Sequence, residues 1–175
     1  MHVELEQAYR TCQEIACRSG SSFYRSFSLL RPEKRRAMTT LYAFARLIDD
    51  WGDNPSLLLD SSPSNAIAES SSLVCDRRLT ADSLHRWLDR CAQAAPIDGD
   101  QSQATKLNAV VPYEDRNMLP SLAKQLTQIS PSLTELLDRF GVPVQYLKEI
   151  VDGVALDCET QVRMQDDVEL ERYCY

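Results

Sequence analysis

Residues 42 to 53 read Tyr42-Ala-Phe-Ala-Arg46-Leu-Ile-Asp49-Asp50-Trp-Gly-Asp53, and the period of this stretch decides the fold class. At about 100° per residue, Tyr42, Arg46, Asp49 and Asp53 fall within roughly 60° of one another on a helix, with Asp50 beside them. Met38, Leu41, Phe44, Leu47, Ile48 and Trp51 occupy the rest of the circumference. The helix is thus apolar nearly all round and is expected to be buried. Its polar stripe is then expected to face an internal cavity.

Three carboxylates and one guanidinium do not balance. Ionised groups away from water must be paired, hydrogen-bonded or bound to metal, and like charges at i,i+4, such as Asp49 and Asp53, repel. A divalent cation would relieve the repulsion. Carboxylate oxygens from one or two side chains, completed by water and substrate phosphate, suit Mg²⁺ better than a thiophilic metal. The same spacing also fits a solvated helix end in which Arg46 pairs with Asp50 at i,i+4, with Gly52 and Pro55 ending the helix.

Working outward, residues 21 to 53 run Ser-Ser-Phe-Tyr-Arg-Ser-Phe-Ser-Leu-Leu-Arg-Pro-Glu-Lys-Arg-Arg-Ala-Met-Thr-Thr-Leu-Tyr-Ala-Phe-Ala-Arg-Leu-Ile-Asp-Asp-Trp-Gly-Asp. A second block follows in order: Phe140-Gly-Val-Pro143, then Leu147-Lys-Glu-Ile-Val-Asp-Gly153-Val-Ala-Leu-Asp157, then Glu169-Leu-Glu-Arg-Tyr173-Cys-Tyr175. Together these blocks resemble the squalene/phytoene synthases. With looser similarity at residues 8–20 and 119–140, the resemblance covers roughly two thirds of the chain.

The resemblance implies an all-α, terpenoid-synthase-type helical bundle that joins two prenyl diphosphates head to head. In isoprenoid biosynthesis that means farnesyl or geranylgeranyl diphosphate, with NADPH needed only for a squalene-type product. It assigns Mg²⁺ binding to Asp49 and Asp53 with Asp50 adjacent, and diphosphate binding to Tyr42 and Arg46. Ser22, Tyr24, Arg25 and Ser26 fall at the diphosphate end. Gly153 and Asp157 fall on a helix lining the prenyl tunnel, and Tyr173 and Tyr175 fall near the reacting carbons. Chemistry accounts for these residue types, because ionising an allylic C–O bond needs cations at the leaving group and a dry, aromatic wall at the carbocation. Phe23, Phe27, Tyr42 and Phe44 are candidates for that wall or for the packing behind it.

From Pro143, a helix running towards Cys158 places Tyr146, Ile150, Gly153 and Asp157 on one face. A glycine there marks either a close approach in the tunnel or a helix–helix contact. Asp166 and Glu169 read as N-cap and capping-box partner of another helix, which has barely two turns before Tyr175. The family continues that helix and supplies a second aspartate-rich motif beyond it. The chain is therefore expected to be an N-terminal part of such an enzyme. The alternative is a catalytically incomplete remnant that binds Mg²⁺ and diphosphate, or that works with a partner chain carrying the other half.

Composition fits one globular domain over residues 1–175, 43% hydrophobic and 26% charged. A net charge of −7 argues against nucleic acid, and Arg31, Lys34, Arg35 and Arg36 are expected to flank the diphosphate entrance or to be solvated. No run approaches the length of a membrane span and the N-terminus lacks a signal-peptide pattern. The expected location is cytoplasmic, with peripheral contact to a membrane left open by the lipid substrates. Six cysteines without a C-x-x-C pair are expected to be reduced thiols. Residues 56–72 and 94–111 read as loops or insertion. Between them, Thr80 to Cys91 reads as a helix with Leu84, Trp87, Leu88 and Cys91 on one face, in a middle region taken as a surface insertion.

Overall fold

The computed structural model describes residues 2–53, 70–94, 110–113, 120–157 and 168. These residues form six α-helices and one short 3₁₀ turn: α1 (His2–Arg18), α2 (Ser22–Ser26), the 3₁₀ turn Phe27–Leu29, α3 (Pro32–Asp53), α4 (Ser70–Ala94), α5 (Pro120–Arg139) and α6 (Val144–Asp157). No strand occurs among the described residues. The all-α bundle expected of a terpenoid-synthase-type chain is what they form.

α3 is the hub, packing against α1, α5 and α6. Its buried side is Ala37, Ala43, Phe44, Leu47, Ile48 and Trp51, the helical spacing read from the sequence. α1 meets it through Ala8, Cys12 and Ala16, all essentially inaccessible. Small residues at i,i+4 let the backbones approach closely. Cys12 Sγ lies 3.3 Å from Ser132 Oγ on α5. Ser132 already donates to the Ile129 carbonyl at 2.8 Å, so the thiol is the donor in this contact. Burial pushes the Cys12 thiol above its ordinary range.

A charged seam closes the outer edge of α1, α3 and α5. Tyr9 donates to Glu135, and Arg139 joins Glu135 at 3.3 Å to Glu33 at 2.7 Å. Arg36 pairs with Glu6 at 2.8 Å and stands 5.0 Å over the Tyr9 ring. Arg36 is therefore committed to α1 rather than to a ligand entrance.

α5 contains Pro131 within its run, which removes the N–H that would bond the Thr127 carbonyl. The Ser130 hydroxyl donates to that carbonyl at 2.8 Å instead. Ser130 Oγ also accepts from the Val111 amide at 2.9 Å, and Thr127 Oγ1 accepts from the Tyr113 amide at 3.0 Å. Residues 110–113 are thereby strapped to α5, and Trp87 Nε1 of α4 donates to the Val111 carbonyl at 3.1 Å.

α4 corrects two sequence expectations. It runs from Ser70 to Ala94, so residues 70–72 and Ala94 are helical rather than loop, residues 110 and 111 are not helical, and 56–69 and 95–109 lie outside the described residues. Nor is this helix a surface insertion: Leu84, Trp87, Leu88 and Cys91 are wholly buried in the same core as α3 and α5. α4 packs on α6, where Lys148 meets Asp89 at 2.7 Å. His85 Nε2 stands 3.0 Å from Asp152 Oδ1 in a contact outside hydrogen-bond geometry.

Candidate functional site

α1 ends where Gly20 takes φ +64°, a left-handed conformation that glycine adopts without steric cost. The reversal brings Ser21 to the N-cap of α2, its hydroxyl accepting from the Phe23 amide at 3.2 Å. It also leaves Ser19 beside Tyr42 of α3, the two hydroxyl oxygens 2.9 Å apart. Ser19 donates to the Ala16 carbonyl at 2.7 Å, so Tyr42 is the donor to Ser19 and its own lone pairs remain as acceptors. Sequence reasoning does not find Ser19; the Ser-Gly pair at a helix end is its one local signal.

Around Tyr42 the aromatic rings gather. Phe27 is buried and sets its ring edge-on to Phe23, Tyr24 and Tyr42, at centroid distances of 5.3, 5.8 and 6.0 Å. Tyr24 stacks on Tyr42 at 6.4 Å. Burial, and then the neighbouring Cys17, raise the Tyr24 phenol above its usual range. Phe44 takes no part in this group and lies fully in the core. Of the serines, Ser22 is exposed at the start of α2, while the Ser26 hydroxyl is committed to the Phe23 carbonyl at 2.7 Å. Arg25 is exposed.

One turn beyond Tyr42, Arg46 pairs with Asp49 at 2.9 Å and with Asp50. The expected internal cavity is not what surrounds them. Asp49, Asp50 and Asp53 are exposed, with the Asp49 and Asp50 side chains 51% and 48% accessible. Among the described residues, α1, α5 and α6 pack on α3 through its apolar side chains, and the stripe's acids stay open to solvent. The Arg46–Asp50 pairing that the sequence offers as an alternative is present, and Asp49 shares it.

These residues suit Mg²⁺ in part. Asp49 and Asp53 offer carboxylates one turn apart and open to water, as an ion needs that keeps waters and takes substrate phosphate. Among the described residues, no three His, Cys, Asp or Glu side chains converge to enclose a metal. The helix therefore presents one open-sided wall of donors.

α6 packs on α3 and α4 through Leu147 and Val151. Its opposite face, Tyr146, Gly153 and Asp157, is exposed, with Ile150 half-buried. Among the described residues, a Cβ placed on Gly153 would meet nothing within 4 Å, so none of the described helices makes the contact there that a mid-helix glycine suggests. Tyr173, Tyr175 and the helix expected from its N-cap Asp166 towards Tyr175 lie outside the described residues, apart from Val168, which is helical and exposed.

Arg35 also departs from expectation. Its guanidinium donates to the carbonyls of Phe27 at 3.2 Å, Ser28 at 2.7 Å and Leu30 at 3.2 Å. Cys12, Cys17 and Cys91 carry free thiols. No helix among the described residues is long and apolar enough to cross a membrane.

Comparison with known proteins places a family model described as squalene/phytoene synthase over residues 16–175. The chain is similar to a chloroplastic phytoene synthase of Daucus carota, 24% identical over 171 residues, covering 98% of this chain and 31% of that protein. It is 25% identical to a phytoene synthase of Mycobacterium tuberculosis, covering 98% and 41%. It is 22% identical to the chloroplastic phytoene synthase 2 of Solanum lycopersicum, covering 98% and 40%. The chain thus spans well under half the length of these relatives. No solved structure matches it.

Proposed function

The chain belongs to the squalene/phytoene synthase family, and from that premise we propose that α2 and the polar stripe of α3 form the diphosphate-binding wall of a head-to-head prenyl transfer site. The observation that carries this reading is the open stripe itself: Tyr42, Arg46, Asp49, Asp50 and Asp53 on one side of α3, beside a cluster of aromatic rings. A geranylgeranyl or farnesyl diphosphate is the substrate class.

When bound, Mg²⁺ would neutralise diphosphate oxygens and favour their departure; Asp49 and Asp53 would hold it, with Asp50 adjacent. Arg46 would turn from its carboxylate partners to a diphosphate oxygen, which a guanidinium grips in two places. Ser22 and Arg25, exposed on α2, would donate to the same group, whereas Ser26 would first have to release the Phe23 carbonyl. Phe23, Tyr24 and Tyr42 offer ring faces on which positive charge is stabilised as the allylic bond ionises. The Tyr146, Gly153 and Asp157 face of α6 would run alongside the prenyl chain. NADPH would be needed only for a squalene-type product.

The test is release of inorganic diphosphate from geranylgeranyl and farnesyl diphosphate by the purified chain with Mg²⁺, together with calorimetric binding of each substrate. Asp49→Ala and Asp53→Ala should abolish Mg²⁺-dependent binding without loss of helicity by circular dichroism. Equal binding by the variants would refute the assignment. A second reading, a module that binds Mg²⁺ and diphosphate without turnover or together with a partner chain, draws on the observation that Asp49, Asp50 and Asp53 all stand on α3 with their side open to solvent. Binding without release selects it.

A further inference from the structure

The geometry points to Arg35 as a positioning residue: by tying the 3₁₀ turn at Phe27–Leu29 to α3, it holds the Tyr24 and Tyr42 rings in place at the diphosphate end. This inference rests on the function proposed above for that end and adds a residue that does not itself face the ligand.

The turn ends a helical segment, so its last carbonyls lack partners within it. The Phe27 carbonyl accepts from the Leu30 amide at 3.0 Å and again from Arg35 Nε, while Arg35 Nη2 takes the carbonyls of Ser28 and Leu30. One planar guanidinium thus ties two residues of the turn and the Leu30 that follows it to the first two turns of α3. A cation at a helical C-terminus is also favoured electrostatically. Phe27 is the buried member of the tied segment, and its ring touches those of Phe23, Tyr24 and Tyr42. Its placement therefore propagates to Tyr24 and Tyr42 through ring contacts. Tyr42 shares its side of α3 with Arg46, four residues on.

The fork is what matters. A lysine keeps the charge but presents three donors at one point, and cannot span three carbonyls in a plane. The Ser28 and Leu30 carbonyls lie at the surface and can turn to water, and the Phe27 carbonyl keeps the Leu30 amide, so the loss falls on the geometry of the turn more than on stability.

The experiment incorporates 3-fluorotyrosine into the chain and records ¹⁹F spectra of wild type, Arg35→Met, Arg35→Lys and Lys124→Met, the last a charge-matched control at an exposed position of α5. Seven tyrosines give seven signals, with Tyr24→Phe and Tyr42→Phe assigning the two of interest. In both Arg35 variants the Tyr24 and Tyr42 signals should shift or broaden, with melting temperatures near wild type and Lys124→Met unchanged. Binding of geranylgeranyl diphosphate with Mg²⁺ should weaken about tenfold in both, as the groups around the ligand lose their alignment. Unmoved tyrosine signals in Arg35→Met would overturn the proposal. So would full recovery by Arg35→Lys, or an equal binding loss in Lys124→Met, since either would assign the effect to charge alone. If wild type binds no prenyl diphosphate, the proposed function fails, while the ligand-free spectra still decide whether Arg35 positions the rings.

Discussion

Arg46 holds Asp49 and Asp50 where all three side chains are between a third and half open to solvent. Pairs this exposed contribute little to stability, about 0.3–0.5 kcal/mol each at i,i+4. Arg46→Ala should therefore change the unfolding free energy by less than about 1 kcal/mol in urea titration, yet weaken Mg²⁺-dependent diphosphate binding by roughly 1.5–3 kcal/mol, the worth of a charged hydrogen bond. Calorimetry and denaturation on the same variant separate the two effects. Gly153 gives the opposite kind of test. Open space surrounds it and no left-handed φ requires glycine there, so Gly153→Ala should stabilise the chain by about 0.5–1 kcal/mol through helix propensity. A prenyl chain lying against α6 would make the same variant bind long substrates less tightly. The helical spacing of Tyr42, Arg46, Asp49 and Asp53 is legible in the sequence. Their openness is not, because it depends on which helices pack over α3. Arg35 is equally hidden: the sequence shows one more basic residue in a basic run, and only the fold reveals three carbonyls within its reach.

The elements show how local chemistry supports distant contacts. Pro131 interrupts α5 in the middle of the core, and Ser130 answers it with one hydroxyl that serves the Thr127 carbonyl and the Val111 amide together. Ser130→Ala would leave the buried Val111 amide and the half-buried Thr127 carbonyl without this partner, at about 1–3 kcal/mol for the amide and less for the carbonyl. In a Pro131→Ala background the restored N–H should recover part of that cost, and a double-mutant cycle by chemical denaturation should show coupling of at least about 0.5 kcal/mol. Additive costs would mean that the Thr127 carbonyl finds another partner. α4 is legible as a helix with Leu84, Trp87, Leu88 and Cys91 on one side, because i,i+3,i+4 spacing is a local signal. Its place in the core is not legible, since its partner helices α5 and α6 lie far along the chain, and the expectation of a surface insertion fails for that reason.

At the scale of the whole bundle, burial couples stability to alkaline pH. The Cys91 thiol is pushed up to about 12 from an ordinary 9.0 by burial, with Arg90 opposing. Burial, helped by Glu135, also raises the Tyr9 phenol, and burial raises the Cys12 thiol. A raised folded-state pKa means that the folded chain keeps its proton while the unfolded chain releases it. The associated stability is whole below about pH 9 and is lost as pH rises towards 12. Urea midpoints should therefore fall from about pH 8 to about pH 10.5, and less steeply in Cys91→Ala, whose midpoint at the lower pH is itself reduced by the missing sulfur. Parallel declines would remove Cys91 as a contributor.

Sequence by itself determined the all-α class, the family, the apolar sides of α3 and α4, and the residues that stand together on the α3 stripe. These follow from helical periodicity and from ordered motifs, both of which are properties of neighbours along the chain. Tertiary structure alone decided that the stripe opens to solvent, that α4 is part of the core, that Gly153 stands clear of the other described residues, and that Arg35 and Ser19 brace the aromatic cluster. Each of those depends on segments brought together from separate parts of the chain, and no local pattern encodes which of them cover a surface and which leave it bare.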